Sequence, residues 1–373
     1  MISFECDYNN GAHPKVMQRL LETNAEITAT YGFDVYSEQA RQKIRMACET
    51  PDADIFFLAG GTQSNATVID GMLRSYEAVI TIDTGHINVH EATAIEASGH
   101  RVIALPDDKG KLTVAELNKY MQAFIHDESR DHCAQPGIVY ISFPTEFGTI
   151  YSKDEMADLY AACQQYGLQL YIDGARLGYA LASHANDVTL PWLASHCDAF
   201  YIGGTKVGAL CGEAVVFPRG NAPKCFFSII KRHGALLAKG RLVGVQFDAL
   251  FTDNLYFDIS AHAMRMAIKL KQLFTDLGYQ FFLDSPTNQQ FLVIPNDKMH
   301  QLEKQVIFTH WCAADDNHTV GAAVERELAQ GDEAFKKAIQ QMSAPDRKKK
   351  DTRSPVSLFI VIDSDCLLTV LQI

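Results

Sequence analysis

The stretch "SKDEMADLYAACQQYGLQLYIDGAR", residues 152–176, holds a complete helix-to-strand unit. Ser152 and Glu155 stand three apart at its start, the spacing of a capping box, in which two side chains satisfy each other's backbone N–H groups. Gly167 ends the helical pattern, because glycine takes the left-handed conformation of a C-terminal cap without strain. The run "LQLYI" that follows is short and largely apolar, which suits a strand covered on both faces. The same alternation recurs along the chain. "DIFFLA", "AVITI", "RVIAL", "GIVYIS", "DAFYI" and "EAVVF" are strand-like, with helical patterns between most of them. An early helix follows His13-Pro14, since proline is at home in a first helical turn. The pattern predicts an α/β fold: a mostly parallel, seven-stranded sheet between helices. From about Thr252 the chain changes to long helices with fewer strands ("FFLDS", "FLVIP", "VIFTHW"), which predicts a smaller α+β domain. The expected division is an N-terminal arm and large domain over 1–251 and a small C-terminal domain over 252–345. An atypical tail, disordered or frame-shifted, then occupies 346–373.

Composition narrows the function. The chain has 373 residues, 47% of them hydrophobic, enough for a large core. A net charge of −12 argues against nucleic acid or an anionic membrane face as partner. Nine cysteines, an odd number without a CxxC pair, read as thiols of a reducing compartment. No run approaches the roughly 20 apolar residues of a membrane span, and "MISFECDYNN" lacks the pattern of a signal peptide. A soluble, cytoplasmic protein is expected, with no metal.

In a sheet of this kind ligands sit beyond the carboxyl ends of the strands. Four polar clusters fall there: "GGTQSN" (60–65), "DTGHINVHE" (83–91), "DGAR" (173–176) and "GGTK" (203–206). Each has a structural reading. "GGTQSN" can be a plain strand-to-helix turn, Asp173 a helix cap paired with Arg176, His86 a satisfied histidine and Lys206 a structural lysine. Together they have a functional one. Glycines and helix-start N–H groups, with the Thr62 and Ser64 hydroxyls, make an anion cradle. It lacks the lysine of a P-loop and the spacing of a dinucleotide fingerprint. A carboxylate ending an apolar strand is costly to bury without a cationic partner. Arg176 can fork onto a ligand carboxylate, and His86 can stack on a ligand ring. Lys206, among small residues, can reach a bound carbonyl. The chemistry that needs this set is pyridoxal 5'-phosphate catalysis: an amine to form the Schiff base, a carboxylate to keep the pyridine nitrogen protonated, and a backbone cradle for the phosphate.

The motifs "CDYNNGAHP", "YGFDVYSEQA", "LAGGTQSNATVI", "GHINVHEATAIEASGH", "YIDGARLGYAL", "GGTKVGALCGEAVV" and "FTHWCAADDNHTV" extend this reading. Over about Phe4 to Val320 the chain resembles the threonine aldolase and β-eliminating lyase family of fold-type I pyridoxal phosphate enzymes. The resemblance implies Lys206 as the Schiff-base lysine and Asp173 as the pyridine partner. Gly61 and Thr62 would bind phosphate, Thr205 would be a further cofactor contact, and His86 would stack on the ring. Arg176 would bind the substrate carboxylate. Tyr31 resembles a position reaching a neighbouring subunit's site, and Arg241 matches an arginine near the phosphate. Family members are homodimers or homotetramers.

The chain departs from the family in three places. "FPTEFG" puts Glu146 where threonine aldolases carry a histidine that assists removal of the substrate hydroxyl proton; a carboxylate serves there if burial raises its pKa. Cys6 stands before Asp7 where serine is frequent, altering one carboxylate contact. After Val320 the family's strand with a second carboxylate-binding arginine has no counterpart, since Arg326 lies in a charged helical pattern. The expected activity is retro-aldol cleavage of a threonine-like β-hydroxy-α-amino acid to glycine and an aldehyde. The alternatives are β-elimination, or cofactor binding with impaired activity.

Overall fold

The computed structural model describes residues 2–295, 306–307, 309–315, 318–322 and 358–361. A short strand β1 (Ile2–Ser3) is followed by helices α1 (Pro14–Thr23) and α2 (Val35–Cys48). The alternation then begins: β2 (Asp54–Leu58), α3 (Gly61–Met72), β3 (Glu77–Ile82), α4 (His86–Val89), α5 (Ala94–Ala97), β4 (Arg101–Leu105), α6 (Val114–His126) and β5 (Gln135–Ser142). It continues through α7 (Lys153–Tyr166), β6 (Gln169–Asp173), α8 (Leu177–Leu181), α9 (Leu190–Ser195), β7 (Ala199–Gly203) and β8 (Glu213–Phe217). Helices α10 (Phe226–Arg232), α11 (Arg241–Leu250) and α12 (Leu255–Asp276) follow.

By contact the chain divides into two units. The larger comprises residues 12–181 and 185–256. Its sheet has the order β2-β8-β7-β6-β5-β3-β4. The pairs β3–β4, β3–β5, β5–β6 and β6–β7 are parallel, while β8 is antiparallel to both β2 and β7. Six strands therefore end at one edge, and β8 begins there. The order reverses between β3 and β5, which opens a crevice at their carboxyl ends.

Local sequence accounts for the elements. The Ser152–Glu155 box forms with both reciprocal bonds, and Gly167 closes α7 at φ 68°. Strands β7 and β8 are buried at every position, as the absence of alternation predicts. One core packs Leu58, Val68, Ile69, Val79, Tyr140, Tyr171, Tyr201 and Phe217 together; burying each large side chain stabilises the fold by about 1.5–3 kcal/mol. The ends of β6 and β7 touch through glycines, and Gly203 donates to the Gly174 carbonyl at 2.9 Å. A Cβ on Gly174 would lie 1.8 Å from the Tyr201 carbonyl oxygen. Gly174→Ala should therefore destabilise the protein by about 3 kcal/mol through a forced backbone shift. A urea midpoint unchanged from wild type would mean that this edge is not tightly packed.

The smaller unit comprises residues 1–11, 182–184 and 257–373. Within it β9 (Gln280–Phe281), β10 (Gln289–Pro295), β12 (Thr309–Asp315), β13 (His318–Ala322) and β14 (Leu358–Val361) form an antiparallel sheet. β11 (Val306–Ile307) pairs in parallel with β1. Leu358–Val361, part of the tail set apart in the sequence, lies beside β10. The rest of 346–373, and Arg326, lie outside the described residues.

Candidate active site

Four segments of the larger unit leave the sheet at the edge where β8 begins. After β2 the chain turns at Gly60, extended at φ −170°, directly into α3. No side chain caps this helix, so the first-turn N–H groups of Gly61, Thr62 and Gln63 point along the positive end of its dipole. Ser64 is turned inward and donates its hydroxyl to the Gly60 carbonyl at 2.9 Å.

One helical turn on, Asn65 enters the centre of the site. Its amide donates to Glu91 at 2.7 Å and to Asp173 at 3.0 Å, while Tyr171 donates to its oxygen at 2.9 Å. Asp173 ends β6 and is 4% exposed. It accepts the Tyr140 hydroxyl at 2.6 Å and the Ala175 N–H at 2.9 Å. Burial by itself would raise its pKa; the charge of His86 and hydrogen bonds from Tyr140, Tyr201 and Asn65 outweigh it and hold the group below the usual carboxylate range. Asp173 is thus a buried carboxylate kept ionised.

His86 begins α4 and places Nδ1 2.8 Å from Glu91 Oε1. Glu91 is 4% exposed, and among the described residues its other oxygen is buried without a hydrogen-bond partner. The His86 backbone N–H donates to Glu146 at 2.9 Å, and the Ser142 hydroxyl donates to the same oxygen at 2.6 Å. Burial raises the Glu146 pKa; the Asp173 charge adds to it, against the Ser142 hydrogen bond and the His86 charge.

Lys206 follows β7, and its carbonyl accepts the Tyr179 hydroxyl. Its charge lowers the pKa of His90, second to burial and the His86 charge, and is felt by Glu213. Thr205 donates to Glu213 at 2.7 Å and accepts the Gly212 N–H at 3.0 Å. The structure therefore gathers Gly61, Thr62, His86, Glu146, Asp173, Thr205 and Lys206 at one sheet edge. Arg176 lies three residues beyond Asp173 and is half-buried.

The remaining anticipated residues are Arg241, Tyr31 and Cys6. Arg241 donates to the carbonyls of Glu26 and Asn24, each at 2.9 Å, and borders a groove of about 570 Å³ with Met17, Leu21 and Ile27. Tyr31 has φ 58° and receives the Lys231 ammonium over its ring, 4.9 Å from the centroid. Cys6 belongs to the smaller unit. Five residues around the edge had gone unassigned: Asn65, Glu91, Tyr140, Tyr201 and Glu213.

A family model for β-eliminating lyases matches residues 7–294. The chain belongs to the β-eliminating lyase family. Within the family it is similar to the low specificity L-threonine aldolase of Pseudomonas aeruginosa, 29% identical over 304 residues, 80% of this chain and 86% of that one. The enzyme of the same name from Pseudomonas sp. (strain NCIMB 10558) is 29% identical over 307 residues, covering 81% and 87%. Among solved structures, the threonine aldolase of Leishmania major superposes with a TM-score of 0.86 at 37% identity, over 92% of this chain and all of that one. The family fold is fold-type I, with the seven-stranded, mostly parallel sheet described above.

Proposed function

We propose that the chain is a pyridoxal 5'-phosphate-dependent lyase that cleaves a threonine-like β-hydroxy-α-amino acid to glycine and an aldehyde. One observation carries the reading: a buried, ionised Asp173 stands at the same edge as Lys206, an uncapped helix start and a carboxylate of raised pKa. The names of the Pseudomonas and Leishmania relatives support the substrate class.

The donor set fits the cofactor. An amine suits its aldehyde, an ionised carboxylate suits its pyridinium nitrogen, and free N–H groups beside hydroxyls suit its phosphate. Lys206 would hold the cofactor covalently, Asp173 its ring nitrogen, and Gly61 and Thr62 its phosphate, with Thr205 a further cofactor contact. When bound, it supplies a protonated ring that takes up the electron pair left on Cα as a bond breaks. His86, fixed by Glu91 at Nδ1, would stack on the ring. Asn65 ties that pair to Asp173, so ring stacking and ring protonation rest on one hydrogen-bonded network. Arg176 would orient the substrate carboxylate. Glu146 would accept the substrate hydroxyl proton. Tyr31 is assigned to the site of a neighbouring copy in a homodimer or homotetramer, and Arg241 to the neighbourhood of the phosphate. The free thiols of the described cysteines suit the cytoplasm.

The purified protein should absorb in the near-ultraviolet or visible through its cofactor, and borohydride should bleach that band while fixing the cofactor to Lys206. A colourless protein that gains no band on adding pyridoxal phosphate would rule the reading out. Glu146→Gln tests the base. A base works only above its pKa, so wild-type kcat should fall as pH drops through the raised value of Glu146. In the variant that limb should vanish, with kcat lower by about 10²–10⁴-fold. An unchanged acid limb would remove Glu146 from the role.

A further inference from the structure

Beside the lysine turn lies a buried carboxylate that the proposed chemistry does not use. Glu213 opens β8 and is 3% exposed. Because β8 runs against its neighbours, its first residue sits at their carboxyl ends, opposite Gly203 of β7 and Leu58 of β2. One oxygen accepts the Gly204 N–H at 3.0 Å and the other accepts the Thr205 hydroxyl at 2.7 Å. These bonds clamp the two residues that precede Lys206.

The clamp alone does not call for a charge. A glutamine oxygen could accept the Gly204 N–H while its amide donated to Thr205 Oγ. Among the described residues, the titratable groups whose charge bears on Glu213, or on which its charge bears, include Lys206, Asp173 and the phenols of Tyr171, Tyr201 and Tyr256. Burial raises each of these phenols above its ordinary range, so they stay neutral. Asp173 is of like sign. Lys206 is the cation of the group, and an ionised carboxylate is expensive to bury without one.

We propose that Glu213 is a positioning residue whose charge sets the protonation of the Lys206 amine, and through it how readily that amine captures an aldehyde. This rests on the reading of Lys206 as the cofactor's anchor. Burial raises Glu213 to about 7, with Asp173 adding and with Thr205, Gly204 and Lys206 opposing. Above that pH the carboxylate favours the ammonium; below it the neutral acid lets the amine lose its proton more easily.

The test is trace acetylation of the full chain before cofactor is added, with Lys206 followed by mass spectrometry across pH. In wild type the logarithm of the labelling rate should climb, slacken near about 7 as Glu213 ionises, and then climb again. In Glu213→Gln, which keeps the clamp, the climb should be unbroken, and Lys206 should label about tenfold faster at about pH 8, equal to one unit of amine pKa. Superimposable profiles, or slower labelling in the variant, would overturn the proposal. Should the variant misfold, the wild-type profile decides alone, because an unbroken climb there rejects the role. Labelling does not require the cofactor to bind, so a protein that never captures pyridoxal phosphate would defeat the proposed function without deciding this one.

Discussion

Lys206→Ala should lose the borohydride-sensitive absorbance and turn over about 10³-fold more slowly or worse, on the order of 4 kcal/mol of transition-state stabilisation. The expectation follows from where the chain puts the amine. β7 is buried along its whole length, and Gly203, Gly204 and Thr205 bring Lys206 to the sheet edge without a bulky neighbour. Thr205 and Gly204 are held by Glu213, and the Lys206 carbonyl by Tyr179. The backbone around position 206 is thus fixed by bonds that do not involve the amine, so truncating the side chain should spare the fold. The variant should remain folded, with Glu213 taking up a proton once its cation is gone, and should hold the cofactor only by its ring and phosphate contacts. A persistent borohydride-sensitive band would mean that a different lysine is the anchor.

Asp173→Asn should cost about 3 kcal/mol or more in the chemical step, comparable to deleting one preorganised electrostatic partner. The site is built to keep this carboxylate ionised against its own burial, with Tyr140, Asn65 and the Ala175 N–H all donating to it. An amide of the same shape keeps most of that packing and removes the charge. A second readout separates charge from shape. The Asp173 charge raises the Glu146 pKa, so the acid limb of kcat should move to lower pH in the variant. Near-normal rates with an unmoved limb would reduce Asp173 to a cap on the turn that follows it.

Much of this was readable in the chain because the signals are local. Capping residues, short apolar runs and small residues beside a lone lysine each declare themselves within a few positions. So Lys206, Asp173, His86 and the "GGTQSN" turn could be placed at one edge before any contact was known. The unassigned residues depend on tertiary geometry. Glu213 looks like the polar start of an ordinary strand, and only the antiparallel direction of β8 carries it to the lysine. Tyr140 and Tyr201 read as core aromatics; the available hint was that a phenol inside an apolar strand needs an acceptor. Asn65 and Glu91 fell within quoted motifs, yet their bond to each other spans 26 residues. Arg241 illustrates the converse. A motif position can be read from sequence, whereas its bonds to the Asn24 and Glu26 carbonyls cannot.

Product analysis with L-threonine separates the reactions this constellation could run. Purified protein loaded with pyridoxal phosphate should convert L-threonine to glycine and acetaldehyde in equal amounts, with no ammonia released. Formation of ammonia and 2-oxobutyrate instead would identify an eliminating lyase and is incompatible with Glu146 acting on the substrate hydroxyl proton.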